Sequence, residues 1–289
     1  MLLGAQSVLA LNSSQDLCVN TMNKSGSKVA KMQGKENASC VKDFGKGKLP
    51  PGMSAEQCLT ADRKGKVAKA TSKTNALEGK KCVGTLPPYG YTGSATVNQS
   101  AIDEELGLTA DVFGSPLDNA LFDSSNSAGA TCQATTVKAY EKFAAIFFKD
   151  FVKCKKDALK EFPDSIDEIK DCIGADQKGL FQKFRDKIRT SLEKKCASTD
   201  LPTAFPGTCQ SQATSAQALA DCLAERTICH MCEAIVAMDA IPASIRPCDQ
   251  LDNGALDASC GGCGNGVVEA PEECDTGGES STCDADCTL

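Results

Sequence analysis

Two short segments of the sequence combine residue types and spacings that could support chemistry. The first is Cys229-His230-Met231-Cys232, a Cys-x-x-Cys pair that could cycle between thiols and a disulfide or bind a metal ion. No βαβ pattern surrounds the pair, and neighbouring cysteines offer disulfide partners to both members. Structural disulfides are therefore the simpler interpretation, with thiol–disulfide exchange and metal binding as alternatives. On that interpretation His230 is a bystander to the disulfides.

The second segment is an acidic loop near the C-terminus. Four carboxylates lie close together between cysteines, namely Glu273, Asp275, Asp284 and Asp286. Calcium is bound by roughly 6–8 oxygen ligands of this kind, although the spacing here is not that of an EF-hand loop. The loop is a candidate calcium site, and a solvated acidic surface is the alternative.

The same region resembles the Myxococcus-type cysteine-rich repeat. Segment 263–287 opens with Cys263-Gly-Asn265-Gly, continues with Glu273-Cys274-Asp275, and ends with two closely spaced cysteines. It departs from the family at Asn265, where the family has Asp, and in the shorter Thr-Gly-Gly after Asp275. In its carboxylates it is also similar to calcium-binding Lin-Notch modules. The resemblance implies a secreted or surface protein.

A small irregular module is expected at this end of the chain, with its cysteines paired among themselves: Cys263, Cys274, Cys283 and Cys287. The lysine- and alanine-rich segments upstream are similar to hairpins in secreted deltaproteobacterial proteins of unknown function.

Groupings typical of enzymes are missing from the sequence. His230 is the only histidine, which leaves few routes to a Ser-His-Asp hydrolase or a His-rich zinc centre. There is no Gly-x-Ser-x-Gly motif, and Gly45-Lys-Gly-Lys48 lacks the spacing of a P-loop. We therefore expect no catalytic activity, no catalytic residues, and no cofactor other than the candidate calcium ion.

Cysteine spacing reveals an internal duplication. Steps of 22, 18 and 24 residues separate the first four cysteines, Cys18, Cys40, Cys58 and Cys82. The same steps recur, at a constant offset of 114 residues, in Cys132, Cys154, Cys172 and Cys196. Three identical spacings indicate a tandem repeat. Apolar residues at helical spacing then predict that each copy is a helix, a turn and a second helix.

The spacing also predicts how these cysteines pair. A helix of 22 residues spans about 33 Å, which is far beyond the reach of a disulfide. In an antiparallel hairpin the start of the first helix meets the end of the second. Nested bonds are therefore expected, Cys18–Cys82 around Cys40–Cys58 and Cys132–Cys196 around Cys154–Cys172. The fold class is mainly all-α, with tandem antiparallel hairpins stapled by nested disulfides and a small irregular disulfide-rich C-terminal module.

The two hairpins differ in aromatic content. Phe44 is the only aromatic residue of the first hairpin, whereas the second holds eight. Two helices cannot enclose eight rings, so some must pack on the chain's own linker and C-terminal part or on another molecule. The candidates for such an intermolecular interface are Phe143, Phe147, Phe148 and Phe151.

The remaining segments complete the predicted organisation. Residues 83–131 contain no Lys, Arg or Cys, and residues 101–113 predict an amphipathic helix whose acidic face, Asp103, Glu104 and Glu105, lies against a basic hairpin. A further helix is expected near residues 216–240. The predicted segments are 1–12 (signal-peptide remnant or apolar tail), 13–82 (hairpin 1), 83–131 (acidic linker), 132–196 (hairpin 2), 197–262 (Cys-rich helical module) and 263–289 (Cys-rich repeat).

Cysteine content and charge indicate the class of protein. The chain has 289 residues and 18 cysteines, an even number that is unusual for a cytosolic protein. Its net charge of −7 conceals a basic first hairpin, +8 over residues 1–82, and an acidic end, −13 over residues 197–289. The sequence contains no stretch of 18 consecutive apolar residues, so no transmembrane helix is predicted.

The leading expectation is a non-catalytic secreted structural or cell-surface protein that assembles with itself into an extracellular fibre or layer. One alternative is a secreted calcium-dependent module that binds a protein or glycan. Another is a thiol–disulfide redox protein centred on Cys229 and Cys232. Nucleic acid is not expected as a partner, because the basic hairpin has almost no aromatic residues for base stacking.

Overall fold

A computed structural model describes residues 11–161, 172, 176 and 178–240. Several predictions fall outside these residues. They are residues 1–10 of the N-terminal segment, the candidate calcium ligands, and the Cys-rich repeat with its disulfides.

Helices make up the fold, as the sequence predicts, and the described residues contain no β-strand. The helices are α1 (Ser13–Phe44), α2 (Ala55–Thr60), α3 (Lys66–Lys81), α4 (Ser94–Phe113), α5 (Leu117–Ala120), α6 (Ser127–Glu161), α7 (Leu180–Lys195), α8 (Leu201–Ala204) and α9 (Ala216–Asp239). None of these helices combines the length and apolar composition that a bilayer crossing needs.

Nested disulfides staple both hairpins, and all four predicted pairings are confirmed. Cys18–Cys82 and Cys132–Cys196 bring Cα atoms to 4.7 and 4.8 Å, and Cys40–Cys58 and Cys154–Cys172 both bring them to 5.7 Å. Loops of 64 and 18 residues are closed in each copy. Closing such loops contributes about 4 and about 3 kcal/mol in the chain-entropy treatment.

The second arm of the first hairpin is not one continuous helix, which corrects the helix–turn–helix prediction. A turn at Asp62–Gly65 separates α2 from α3, and Asp62 and Gly65 both have positive φ angles, 41° and 60°. The Asp62 carboxylate accepts the backbone N–H groups of Val67 and Ala68 and so caps α3. The turn recurs at Asp176 and Gly179, with φ angles of 33° and 56°, so the duplication extends to backbone conformation.

The two hairpins pack on each other through their first helices, which run antiparallel. Gly45, just after the end of α1, lies against Ala130 near the start of α6. Val19 near the start of α1 and Lys155 near the end of α6 both approach Gly90. A long helix follows each hairpin in the chain and packs on it. Helix α4 packs on α1 and α3, and α9 packs on α6 and α7. Helices α4 and α9 also pack on each other, which joins two similar three-helix units.

Seven of the eight aromatic residues of the second hairpin, all except Phe162, which lies outside the described residues, are core residues. The prediction of an intermolecular interface is therefore wrong. Phe143, Phe147, Phe148 and Phe151 are all 0% exposed. Helix α1 covers one side of this hairpin and α9 covers another, so the chain itself encloses the rings. Of the two alternatives that the sequence leaves open, packing on other parts of the same chain is the one observed.

Helix α4 is longer and more buried than the predicted amphipathic helix at 101–113. It begins at Ser94 and lies against α1 of the basic hairpin, but it also packs on α9. Glu105, expected on an acidic face against the basic hairpin, is only 1% exposed. Glu104 pairs with His230 of α9. Glu104 and Glu105 of this helix therefore make contacts inside the fold, whereas Asp103 is exposed.

Candidate functional site

The Cys-x-x-Cys pair holds no free thiol. Cys229 and Cys232 are both disulfide-bonded, and Cys209 forms a disulfide with Cys222. Among the described residues no cysteine is free. Both cysteines of the pair therefore form disulfides, as the simpler interpretation of the sequence predicts.

His230, between these cysteines, is not a bystander. Its Nδ1 lies 2.9 Å from Oε2 of Glu104 and its Nε2 lies 3.3 Å from Oδ2 of Asp111, so the ring bridges two carboxylates of α4. Asp111 also accepts hydrogen bonds from Arg226 and from the Thr208 hydroxyl. This cluster ties α9 to α4, a contact between residues more than 100 positions apart that the sequence pattern does not reveal.

Protonation follows from this geometry. Burial disfavours the charged imidazolium, but the hydrogen bonds to Asp111 and Glu104 outweigh it, and the pKa of His230 is raised. Burial also opposes ionisation of Asp111, yet the hydrogen bond from His230 and the charge of Arg226 lower its pKa to about 2. The cluster is a compensated set of charges, which is typical of a structural contact.

A second cluster joins α1, α4 and α6. The carboxylates of Glu105 and Glu141 converge beside Gly34, each with an oxygen within 2.8 Å of the point that a Cβ atom of residue 34 would occupy. Burial raises the pKa of Glu141 to about 7, and burial together with the neighbouring Glu141 raises the pKa of Glu105 well above its usual value. Paired carboxyls can act as general acid and base, but Glu105 is enclosed by helices and a substrate cannot reach it.

The one metal-type grouping found among the described residues is not an open site. Glu36 lies beside Cys40 and Cys58, but these two sulfurs are bonded to each other. The Glu36 carboxylate accepts hydrogen bonds from the side chain of Arg63 at 3.1 Å and from its backbone N–H at 3.2 Å. The predicted calcium ligands, Glu273, Asp275, Asp284 and Asp286, lie outside the described residues and stay predictions.

A groove between α1 and α3 of the first hairpin, which we call the α1–α3 groove, has the geometry of a binding site. It has a volume of about 230 Å³. Its floor is largely apolar and its rim is basic; the lining residues are Ser25, Lys28, Met32, Lys66, Lys69, Ala70, Lys73, Thr74 and Leu77. No carboxylate lines it.

Lysines of the α1–α3 groove are exposed and repel one another. Lys28, Lys66, Lys69 and Lys73 make no ion pair with any residue of the described chain. Partial burial, reinforced by the charges of Lys24 and Lys73, lowers the pKa of Lys28. The only acidic residue of α3, Glu78, is engaged elsewhere, because it accepts hydrogen bonds from Tyr91 and Ser94. A bound anion would relieve this repulsion.

Sequence reasoning identified a basic first hairpin but not the groove. The available signal was the alignment of the two copies at the 114-residue offset, where Ala70 corresponds to Phe184 and Thr74 to Ile188. Small residues at these seam positions leave space that large residues fill in the second copy.

Comparison with known proteins adds no relative. No family model matches the chain, and no curated protein and no solved structure matches it either.

Proposed function

We propose that the protein is a non-catalytic extracellular binding protein that holds an anionic ligand in the α1–α3 groove. The observation that carries the proposal is a rim of exposed lysines, unpaired within the described chain, around an apolar floor without any carboxylate. Positive potential focused in a concave surface attracts anions and speeds their association. The disulfides are typical of proteins that fold outside the reducing cytoplasm, which supports an extracellular role.

A pair of matched triple variants tests this proposal. Lys28→Gln/Lys69→Gln/Lys73→Gln removes three rim charges, and Lys142→Gln/Lys183→Gln/Lys187→Gln removes the corresponding charges of the second hairpin. Binding of dextran sulfate, a polyanion probe, is measured by isothermal titration calorimetry at low salt. We expect the first triple variant to weaken binding by about tenfold, or about 1.4 kcal/mol, and the second to change it much less. Equal losses in the two variants would show that only net charge matters and would contradict a specific site.

Self-assembly into a structural surface layer is a second candidate function, favoured by the charge asymmetry alone. The first hairpin carries +8 and residues 197–289 carry −13, so these oppositely charged segments of two copies attract each other. Head-to-tail contacts that do not close into a ring produce filaments. Light scattering at about 10 mM ionic strength, where charges still attract each other over about 30 Å, should then show large species that dissolve at higher salt. A monomer at high protein concentration under these conditions excludes this candidate.

A further inference from the structure

The second hairpin shows what fills the seam between its helices. Phe184 of α7 stacks on Phe143 of α6, with ring centroids 6.4 Å apart and planes inclined by 12°. The ammonium group of Lys187 lies 4.1 Å from the centroid of the Phe184 ring. A lysine at this distance from a ring face gains a cation–π interaction. The aromatic ring and the lysine above it therefore form one unit of packing.

The first hairpin keeps the lysine and lacks the ring. Lys73 corresponds to Lys187 at the 114-residue offset, but Ala70 corresponds to Phe184 and Val29 to Phe143. The disulfides hold the hairpin ends at nearly the same Cα separations in both copies, 4.7 against 4.8 Å and 5.7 Å in each. Space at the Phe184 position therefore stays open as part of the α1–α3 groove, and Ala70 and Lys73 both line it.

The neighbouring charges also differ between the two copies. On α7, Asp186 lies beside the lysines and pairs with Arg189 at 3.1 Å. The corresponding residues of α3 are Ser72 and Asn75, so this face of the first hairpin carries no carboxylate to balance its lysines. The charged residues that line the empty ring position are therefore all cations.

We infer that the α1–α3 groove binds an aromatic acid whose ring occupies the place that Phe184 fills in the second hairpin. Its acid group pairs with the rim lysines, and Lys73 lies over the ring as Lys187 lies over Phe184. A volume of about 230 Å³ is sufficient, since an apolar cavity of about 150 Å³ holds benzene. This inference rests on the proposed function, because it names the chemical class of the anionic ligand.

The test uses 2-naphthoate as a probe of the whole chain, with its disulfides intact, in calorimetric titrations at low salt. We expect 2-naphthoate to bind about tenfold more tightly than cyclohexanecarboxylate or neutral 2-naphthylmethanol, because only 2-naphthoate supplies both an aromatic ring and a negative charge. Equal affinities for 2-naphthoate and cyclohexanecarboxylate would overturn the inference.

Variants locate the probe in the groove. Ala70→Phe supplies the missing ring from the chain itself, so it should raise the melting temperature and weaken 2-naphthoate binding by about tenfold or more. Ala68→Phe adds the same side chain at an exposed position that does not line the groove, and it should leave affinity unchanged. Lys73→Gln tests the site without adding bulk and should weaken 2-naphthoate more than 2-naphthylmethanol. Unchanged binding in Ala70→Phe or Lys73→Gln would overturn the inference.

Failure of the inference is distinguishable from failure of the proposed function. If dextran sulfate binding depends on the rim lysines while 2-naphthoate does not bind, the aromatic assignment is wrong and anion binding stands. If neither probe binds in a way that depends on Lys28, Lys69 and Lys73, both are wrong.

Discussion

Gly34 and Gly79 are both helical glycines, but their surroundings are opposite. A Cβ atom added at Gly34 would lie 1.8 Å from Oε2 of Glu141 and 2.8 Å from Oε2 of Glu105. At Gly79 an added Cβ would meet nothing within 4 Å. The first glycine therefore permits the close approach of a helix to a buried carboxyl pair, and the second has no packing reason to be glycine.

Alanine substitutions at these two positions should change stability in opposite directions. Gly34→Ala should lower the free energy of unfolding by about 1–3 kcal/mol, because the extra carbon forces the carboxylates or the helix to move. Gly79→Ala should raise it by about 0.5–1 kcal/mol, because alanine loses less backbone entropy in a helix. Urea denaturation of both variants measures the difference, and a loss of stability in Gly79→Ala would contradict this account.

At the scale of helices, a buried ion pair ties α6 to the end of α9. Lys155 of α6 pairs with Asp239 of α9, and their side chains are only 7% and 1% exposed. Asn23 of α1 donates a hydrogen bond of 2.7 Å to the other oxygen of Asp239. Burial lowers the pKa of Lys155, although Asp239 opposes this shift. Three helices thus meet at one ion pair. Neither charge would be stable in the core without the other.

Breaking this pair on one side should be more harmful than neutralising both members. Lys155→Met leaves the Asp239 carboxylate buried without its cation, which should cost about 3–5 kcal/mol of unfolding free energy. Lys155→Met/Asp239→Asn removes the stranded charge and keeps an oxygen for Asn23, so it should recover much of that loss. Chemical denaturation of both variants at pH 7 provides the measurement. If the double variant is no more stable than the single one, uncompensated charge is not the cause.

At the scale of the whole molecule, buried ionisable groups link stability to pH. Glu141 and Glu105 have raised pKa values, so their contribution is fully present below the ordinary Glu pKa of about 4.3 and declines as pH rises, that of Glu141 being lost through about pH 7. His230 also has a raised pKa, and its contribution declines as pH rises above about 6.5. Asp111, with a pKa of about 2, stabilises the fold above its ordinary pKa of about 3.9. Stability should therefore be greatest in mildly acidic solution and should fall between pH 5 and pH 8.

One substitution separates the contribution of the Glu105–Glu141 pair to the pH dependence of stability from that of the other groups. Glu141→Gln keeps the shape of the protonated side chain and cannot ionise, so it should raise stability at pH 8 by about 1–3 kcal/mol and change it little at pH 4. Glu193→Gln, on the exposed side of α7, is the matched control and should stay within about 0.5 kcal/mol at both pH values. Thermal melts of the three proteins across this range would refute the explanation if the gain at pH 8 is absent.

Much of the architecture follows from the sequence alone. Cysteine spacing predicts the duplication and the nested pairing, because helix length and disulfide reach are local geometric constraints that any fold must satisfy. Capping residues such as Asn12 and Ser54, each with a glutamine three residues later, mark the starts of α1 and α2 for the same reason. The helix expected near residues 216–240 is found at Ala216–Asp239.

Burial, protonation and the groove are decided only by tertiary structure. Whether Phe147 faces the core or a partner depends on α1 and α9, which are distant in sequence, and periodicity cannot identify the covering helix. The roles of His230 and Glu105 likewise depend on residues of other helices. The α1–α3 groove exists because disulfides hold two hairpins at nearly the same end-to-end separations while Ala70 stands where its copy has Phe184. The sequence determines which residues are small, and only the packed helices determine that the space beside them stays open.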